Sequence, residues 1–315
     1  WNPKYALLMA TSTLITWASG LLIGASSSKK TKKLWVALSF ISNLGILFFF
    51  KYFDFAVENI NRVLQTAGFT LLNPKFDVIL PVGISFYTFQ ALSYTMDAYR
   101  GDVEIEKNPL RYALFVSFFP QLVAGPIERS TNLLSQLYEK HTFQLDQVRS
   151  GLALMLWGYF QKLVIADRVA ILVNTVYNDW SHQTGVTLAV ATLFFAIQIY
   201  CDFGSYSNIA VGAAQVMGFR LMDNFNTPYF ADSVADFWRR WHISLSTWFR
   251  DYLYFPLGGS RCSRWKRYRN VMIVFLASGL WHGANWTYVL WGFFNGIFQV
   301  LGMMLKPVRG WGVRV

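Results

Sequence analysis

Charge is scarce in this 315-residue chain: Asp, Glu, Lys and Arg make up 14%, against roughly 25% in soluble domains. Acidic residues are the scarcer sign, 17 against 28 Lys and Arg, which leaves a formal net charge of +11. Cysteine occurs twice, at Cys201 and Cys262. Two cysteines so far apart make no disulfide framework, and neither has metal-ligand spacing. The four histidines include no pair at the i, i+4 spacing of a zinc helix, and the chain has neither a GxSxG elbow nor a P-loop. A metal or nucleotide site therefore has no support. Internal repeats and low-complexity linkers are absent too, so the repeat signature of many transporters is not evident.

Apolar residues are abundant at 54%, and aromatics reach 18% with 28 Phe, 16 Tyr and 13 Trp. That composition excludes a disordered, collagen-like or coiled-coil chain. A soluble protein of this size could not hide so much apolar surface. The chain is expected to be an all-α polytopic membrane protein. A spanning helix needs about 20 mostly apolar residues, and the runs Tyr5–Ala25, Leu34–Phe50 and Val78–Met96 qualify. Tyr112–Ile127 carries Pro120 and Gly125-Pro126 and reads as a span or a broken, re-entrant segment. Gly151–Ala166 is interrupted by Lys162, and only Asp202 separates Val186–Cys201 from Phe203–Phe219. Val271–Leu305 runs 35 residues without a charged side chain. It is too long for one helix and is expected to break near His282. Eight or nine apolar segments result.

The basic excess is clustered between these runs, at Lys29, Lys30, Lys32 and Lys33 and again at Arg261, Arg264, Lys266, Arg267 and Arg269. Clusters of this kind fit the positive-inside rule better than nucleic-acid binding, so both are expected on the cytoplasmic side and no nucleic-acid partner is expected. The chain starts at Trp1 and reads as one integral membrane domain, residues 1–315, of a longer protein.

Asp232–Gly259 is different. Asp236, Arg239, Arg240, Arg250 and Asp251 make it a poor span, while Trp238, Trp241, Leu245, Trp248 and Tyr252 recur at three- and four-residue steps. It is expected to be an amphipathic helix at the interface with the membrane lipids, with Arg239, His242, Ser246 and Arg250 off its aromatic face.

Ionisable groups inside apolar segments are expensive and point to function. His282, flanked by Gly279 and Gly283, suits a general base acting on a hydroxyl. His242 reads equally well as an interfacial histidine on a solvated face. Asp202 reads as a carboxylate orienting a His or pairing with an Arg, or as a helix-end residue at the membrane surface. Arg239, Arg240 and Arg250 are donors suited to the phosphates of a lipid head group or a coenzyme.

Four blocks, PVGISFYTFQ (81–90), FFPQLVAGPI (118–127), FWRRWHISLSTWFRDY (237–252) and LWHGANW (280–286), resemble the membrane-bound O-acyltransferases. The resemblance is to the bacterial branch that includes the alginate O-acetylation membrane subunit. It runs from about residue 78 to residue 296 in the family's order. It implies a multi-helix bundle with re-entrant segments and a central tunnel, in the bacterial cytoplasmic (inner) membrane. It also implies catalytic roles for His282, which matches the family histidine, and for His242, which matches a position that is His or Asn in different branches. Trp241, Ser246, Asn285, Asp202 and the three arginines are expected to bind substrate, with Asn285 or His242 as donor to the oxyanion. No tightly bound cofactor is implied. Acetyl-CoA is the expected donor, an exported or periplasmic acetyltransferase the expected partner, and a polysaccharide the final acceptor. D-alanyl transfer to teichoic acid is the alternative within the family, and metabolite transport the alternative outside it. The block at Asp202 reads Asp-Phe-Gly-Ser-Tyr-Ser-Asn where the family pattern is Asp-Phe-Ser-Gly-Tyr-Ser-Asp, so no specific role attaches to Gly204, Ser205 or Asn208.

Overall fold

The computed structural model describes residues 3–73 and 80–309, and every regular element among them is helical. The third apolar run begins at Val78, so its first two residues lie outside the described part, as do residues 310–315 of the tail. The helices are α1 (Lys4–Ala25), α2 (Lys29–Lys51), α3 (Phe53–Thr66), α4 (Ile84–Arg100), α5 (Pro109–Val116), α6 (Phe119–Leu122), α7 (Leu145–Tyr159), α8 (Asp167–Asn178), α9 (Gly185–Val216), α10 (Val234–Arg240), α11 (Ile243–Phe249), α12 (Arg264–His282) and α13 (Trp286–Arg309). Among the described residues, four stretches are long and apolar enough to cross a membrane: Tyr5–Ala25, Lys29–Lys51, Gly185–Val216 and Trp286–Leu305. The chain is a multi-pass membrane protein.

The third apolar run takes another role. As α4 it is a core helix, sheathed by protein along most of its length. Tyr87, Ala91 and Tyr94 of α4 pack with Tyr112, Phe115 and Leu133, while Phe89 and Leu92 pack with Leu245, Trp248, Phe249 and Trp281. Tyr87 Oη has no partner, but Gln90 and Asp97 are satisfied by protein groups, as most buried polar atoms are. Gln90 donates to the Phe115 carbonyl at 2.6 Å, and Asp97 accepts from Ser130 Oγ at 2.7 Å and Tyr252 Oη at 2.6 Å.

Tyr112–Ile127 is broken, as its prolines suggested. The Asn108 side chain caps α5 by accepting from the Leu110 and Arg111 amides, and Pro109 opens its first turn. The short α6 then leads into a loop. Here Glu128 is fully buried, accepting from the Met222 amide at 2.5 Å and Asn132 Nδ2 at 2.7 Å, and burial pushes its pKa up to about 7.

One expected boundary is corrected. Val186–Phe219 does not divide at Asp202; α9 runs 32 residues straight through it. Lys162 explains why: its Nζ lies 2.5 Å from Asp202 and 2.8 Å from Asp167. A carboxylate paired in this way can stay within an apolar helix, and nothing in the backbone requires a break. Lys162 itself sits in a π-helical turn, Phe160–Ala166, that joins α7 to α8. The expected helix over Asp232–Gly259 is also corrected. It is α10, a break at Trp241-His242, α11 and a π-helical turn over Arg250–Tyr254. His242 adopts the left-handed conformation (φ +45°) at the break. The regular spacing of aromatics therefore does not form one face: Leu245 and Trp248 are buried in the core, while Trp238 and Trp241 line cavities.

The 35-residue run breaks at Gly283–Asn285, as expected, into α12 and α13. These helices pack closely through Gly279 and Gly292. A Cβ on Gly279 would meet the Tyr288 carbonyl, and one on Gly292 the Phe275 carbonyl. Small residues let membrane helices approach in this way. Gly279→Leu is expected to lower the thermal unfolding temperature in detergent, because overpacking costs about 1–3 kcal/mol. An unchanged unfolding temperature would show that the hairpin does not depend on this contact.

Each basic cluster opens a helix. Lys29, Lys30, Lys32 and Lys33 occupy the start of α2, and Arg264, Lys266, Arg267 and Arg269 the start of α12. The far ends of these two helices meet, with Lys51 Nζ donating to the Trp281 carbonyl and Tyr52 Oη to the Leu280 carbonyl.

Candidate active site

His282 is the last residue of α12, where the chain turns into the break before α13. Its Nδ1 lies 2.7 Å from the Ser278 carbonyl, one turn back. A carbonyl only accepts, so Nδ1 carries the proton and Nε2 keeps its lone pair. Trp291 packs on the ring at 4.8 Å between centroids and Trp281 at 5.2 Å.

His242 stands close by, its ring centroid 6.3 Å from that of His282. It is only 2% exposed. The reading of His242 as a residue on a solvated face is thereby overturned: the break before α11 turns the ring inward. Phe203 meets it edge-to-face at 4.7 Å, and Trp281 lies at 5.8 Å. Neither ring nitrogen has a hydrogen-bond partner. The residue lies between α10 and α11, outside the spanning helices. Burial and the neighbouring His282 hold its pKa well below the ordinary imidazole range. The ring is therefore neutral, with one donor and one acceptor unused.

Two cavities meet at these histidines. One, of about 490 Å³, follows α12 from Val271 to His282 and is also lined by Arg239, Ser246 and Arg250. The other, of about 1030 Å³, is mainly apolar and aromatic, and includes Lys51, Phe86, Phe203, Trp281 and Trp291. Trp238, Trp241, His242 and His282 line both. The first cavity runs along α12 from Val271 and the second lies around its far end, so the histidines stand between the two cavities.

The expected substrate residues divide. Arg239, Arg250, Ser246 and Trp241 line the cavities. Arg250 is oriented by Asp251, which receives its Nε at 2.7 Å and also contacts Arg129 at 3.3 Å. Arg240 is not a cavity residue; it is paired to Asp236 at 2.7 Å. Asp202 neither orients a histidine nor meets an arginine, because Lys162 holds it. Asn285 is exposed, and its Oδ1 caps α13 by accepting from the Thr287 amide at 2.9 Å. His141 and His182 line neither cavity.

Sequence reasoning missed Lys51. It directly follows the second apolar run, and its Nζ turns inward to Ser85 Oγ at 3.0 Å and to the Trp281 carbonyl. The cation thus caps the end of α12 next to His282. The only local signal was a lysine directly after a long aromatic run.

A family model described as membrane-bound O-acyltransferase matches residues 106–309. A probable alginate O-acetylase of Pseudomonas aeruginosa is 40% identical over 98% of this chain and 59% of its own length. A peptidoglycan O-acetyltransferase of Helicobacter pylori is 37% identical over 94% of this chain and 60% of its own. A teichoic acid D-alanyltransferase of Bacillus subtilis is 28% identical over 72% of this chain and 60% of its own. The chain therefore spans about three-fifths of the length of these relatives. With the family model covering most of the sequence and two histidines meeting between two cavities, the chain belongs to the membrane-bound O-acyltransferase family.

Proposed function

We propose that the protein transfers an acetyl group from a cytoplasmic thioester donor, acetyl-CoA, to a hydroxyl presented from the other side of the bacterial inner membrane, for O-acetylation of an exported polysaccharide. The observation that carries this reading is the meeting of two cavities at His242 and His282. The positive-inside rule puts the basic ends of α2 and α12 in the cytoplasm, so the smaller cavity receives the donor. Arg239 and Arg250 at that cavity suit the phosphates of the coenzyme. The larger cavity receives the acceptor, a sugar hydroxyl or a serine of an exported partner acetyltransferase that hands the acetyl group on.

In the reaction His282 Nε2 takes the proton of the acceptor hydroxyl. The oxygen attacks the thioester carbonyl, the C–O bond forms, and the carbonyl electrons move to oxygen. Collapse of this oxyanion breaks the C–S bond, and the proton on His282 passes to the departing thiolate. The apolar, aromatic walls keep bulk water from the thioester. Greater identity to O-acetylating relatives than to a D-alanyltransferase favours acetyl as the group moved.

The test is acetyl-CoA labelled on the acetyl group, supplied to proteoliposomes holding the full-length protein, with candidate acceptors added. Free CoA together with labelled acceptor is the expected result. No CoA release from folded protein would turn the proposal toward a D-alanyl thioester, and movement of an intact metabolite without thioester cleavage would replace it with transport.

A further inference from the structure

The oxyanion formed in this reaction needs a donor, and Asn285 is exposed and lines neither cavity. Polar atoms left without partners at the junction of the cavities are the place to look. Among the described residues that line both cavities there are three: both ring nitrogens of His242, and Nε1 of Trp238; Trp281 Nε1 is also without a partner but belongs to the larger cavity alone. A buried donor without a partner costs about 1–3 kcal/mol. Most buried donors therefore have partners, and an exception at a cavity wall calls for a ligand atom. An indole N–H can only donate. Unlike an imidazole, it cannot change tautomer to suit its surroundings. The atom that satisfies Trp238 must be an acceptor, and it must come from whatever enters the cavities.

Trp238 is also held in place. Its ring meets Phe275 edge-to-face at 5.4 Å and Trp291 at 5.6 Å. Trp291 packs in turn on His282, so one indole sets the position of both. The start of α10, which carries Trp238, is tied to α13 by Gln299 Nε2 donating to the Val234 carbonyl at 3.1 Å. Trp238 is thus held in place on the walls of the same two cavities as His282, and a donor of this kind needs no reorganisation when charge develops.

We propose that the Trp238 indole N–H is a donor to the thioester carbonyl oxygen and strengthens its hydrogen bond as that oxygen becomes the oxyanion. The proposal rests on the acyltransferase reading above. The charge that His282 helps create at the acceptor oxygen moves to the carbonyl oxygen, where Trp238 meets it. When the C–S bond breaks, the carbonyl reforms and the hydrogen bond weakens.

Trp238→Phe keeps an aromatic ring and removes the N–H. In proteoliposomes of the full-length protein, kcat is expected to fall roughly 10²-fold, the usual effect of losing one oxyanion donor, with KM for acetyl-CoA within about threefold, as for a contact made mainly in the transition state. Benzothienylalanine at position 238 has the shape of tryptophan with sulfur in place of N–H, and is expected to match the Phe variant. A kcat within twofold of wild type for benzothienylalanine overturns the proposal. So does a raised KM with kcat unchanged, which would make Trp238 a ground-state binding contact. His282-dependent CoA release by the wild type is the baseline. If it is absent, the acyltransferase reading falls and this inference with it; if it is present, the Trp238 variants judge the inference alone.

Discussion

His282→Ala, in full-length protein that inserts and extracts as the wild type does, is expected to lose thioester cleavage by roughly 10²–10⁴-fold, the range of a general base. The reason is geometric. The Ser278 carbonyl takes the proton-bearing Nδ1, which leaves Nε2 as the basic atom, and both cavities reach that ring. The loss should appear in kcat, because alanine leaves both cavities open. His282→Gln keeps a polar side chain without a comparable base and should fall nearly as far. Cleavage of labelled acetyl-CoA at the wild-type rate by either variant would remove His282 from the mechanism. A fall in the yield of folded protein, with normal turnover per folded molecule, would make the residue structural.

The second large effect is expected at His242. Its two nitrogens are buried without partners, a cost without return unless substrate uses them. His242→Ala is expected to lower the rate about 10²-fold through loss of the ring's positioned hydrogen-bonding atoms. The backbone adds a second expectation. At φ +45°, histidine and asparagine are among the residues that tolerate the left-handed region, and alanine is not. His242→Asn should therefore unfold at the wild-type temperature and keep more activity than His242→Ala, since its amide both donates and accepts. Equal, wild-type rates for Ala and Asn would return His242 to a packing role. An equal and large loss of unfolding temperature in both would show that the ring supports the fold rather than the reaction.

Much of the fold could be read locally. The break in Val271–Leu305 was visible in its length and in Gly279, Gly283 and Asn285, and the broken character of Tyr112–Ile127 was visible in its prolines. Other features misled because their cause lies in a distant residue. Asp202 looked like a helix boundary until Lys162 was found beside it. The aromatics from Trp238 to Tyr252 keep helical spacing, but the chain turns at His242, so spacing that implied one face serves a cavity wall on one side of the turn and a core on the other. Lys51 drew no reading because nothing within α2 reveals that the end of α12 stands next to it. Arg239, Arg240 and Arg250 were equivalent as donors, and only contacts separated Arg240, paired with Asp236, from the two that line the smaller cavity.

Composition and apolar run length by themselves determined that the chain is helical and lives in lipid, because burying such surface and satisfying backbone groups are demands each segment meets on its own. Sequence motifs likewise identified His282 and His242 as the residues to watch. The tertiary structure decided that His242 points inward, that Trp238 keeps an unused N–H between the cavities, that Asn285 caps a helix, and that Asp202 is an ion-pair partner. Apart from the Asn285 cap, which is local, these outcomes depend on which groups meet across the bundle. Periodicity within one segment carries no information about a neighbour that another segment brings to it.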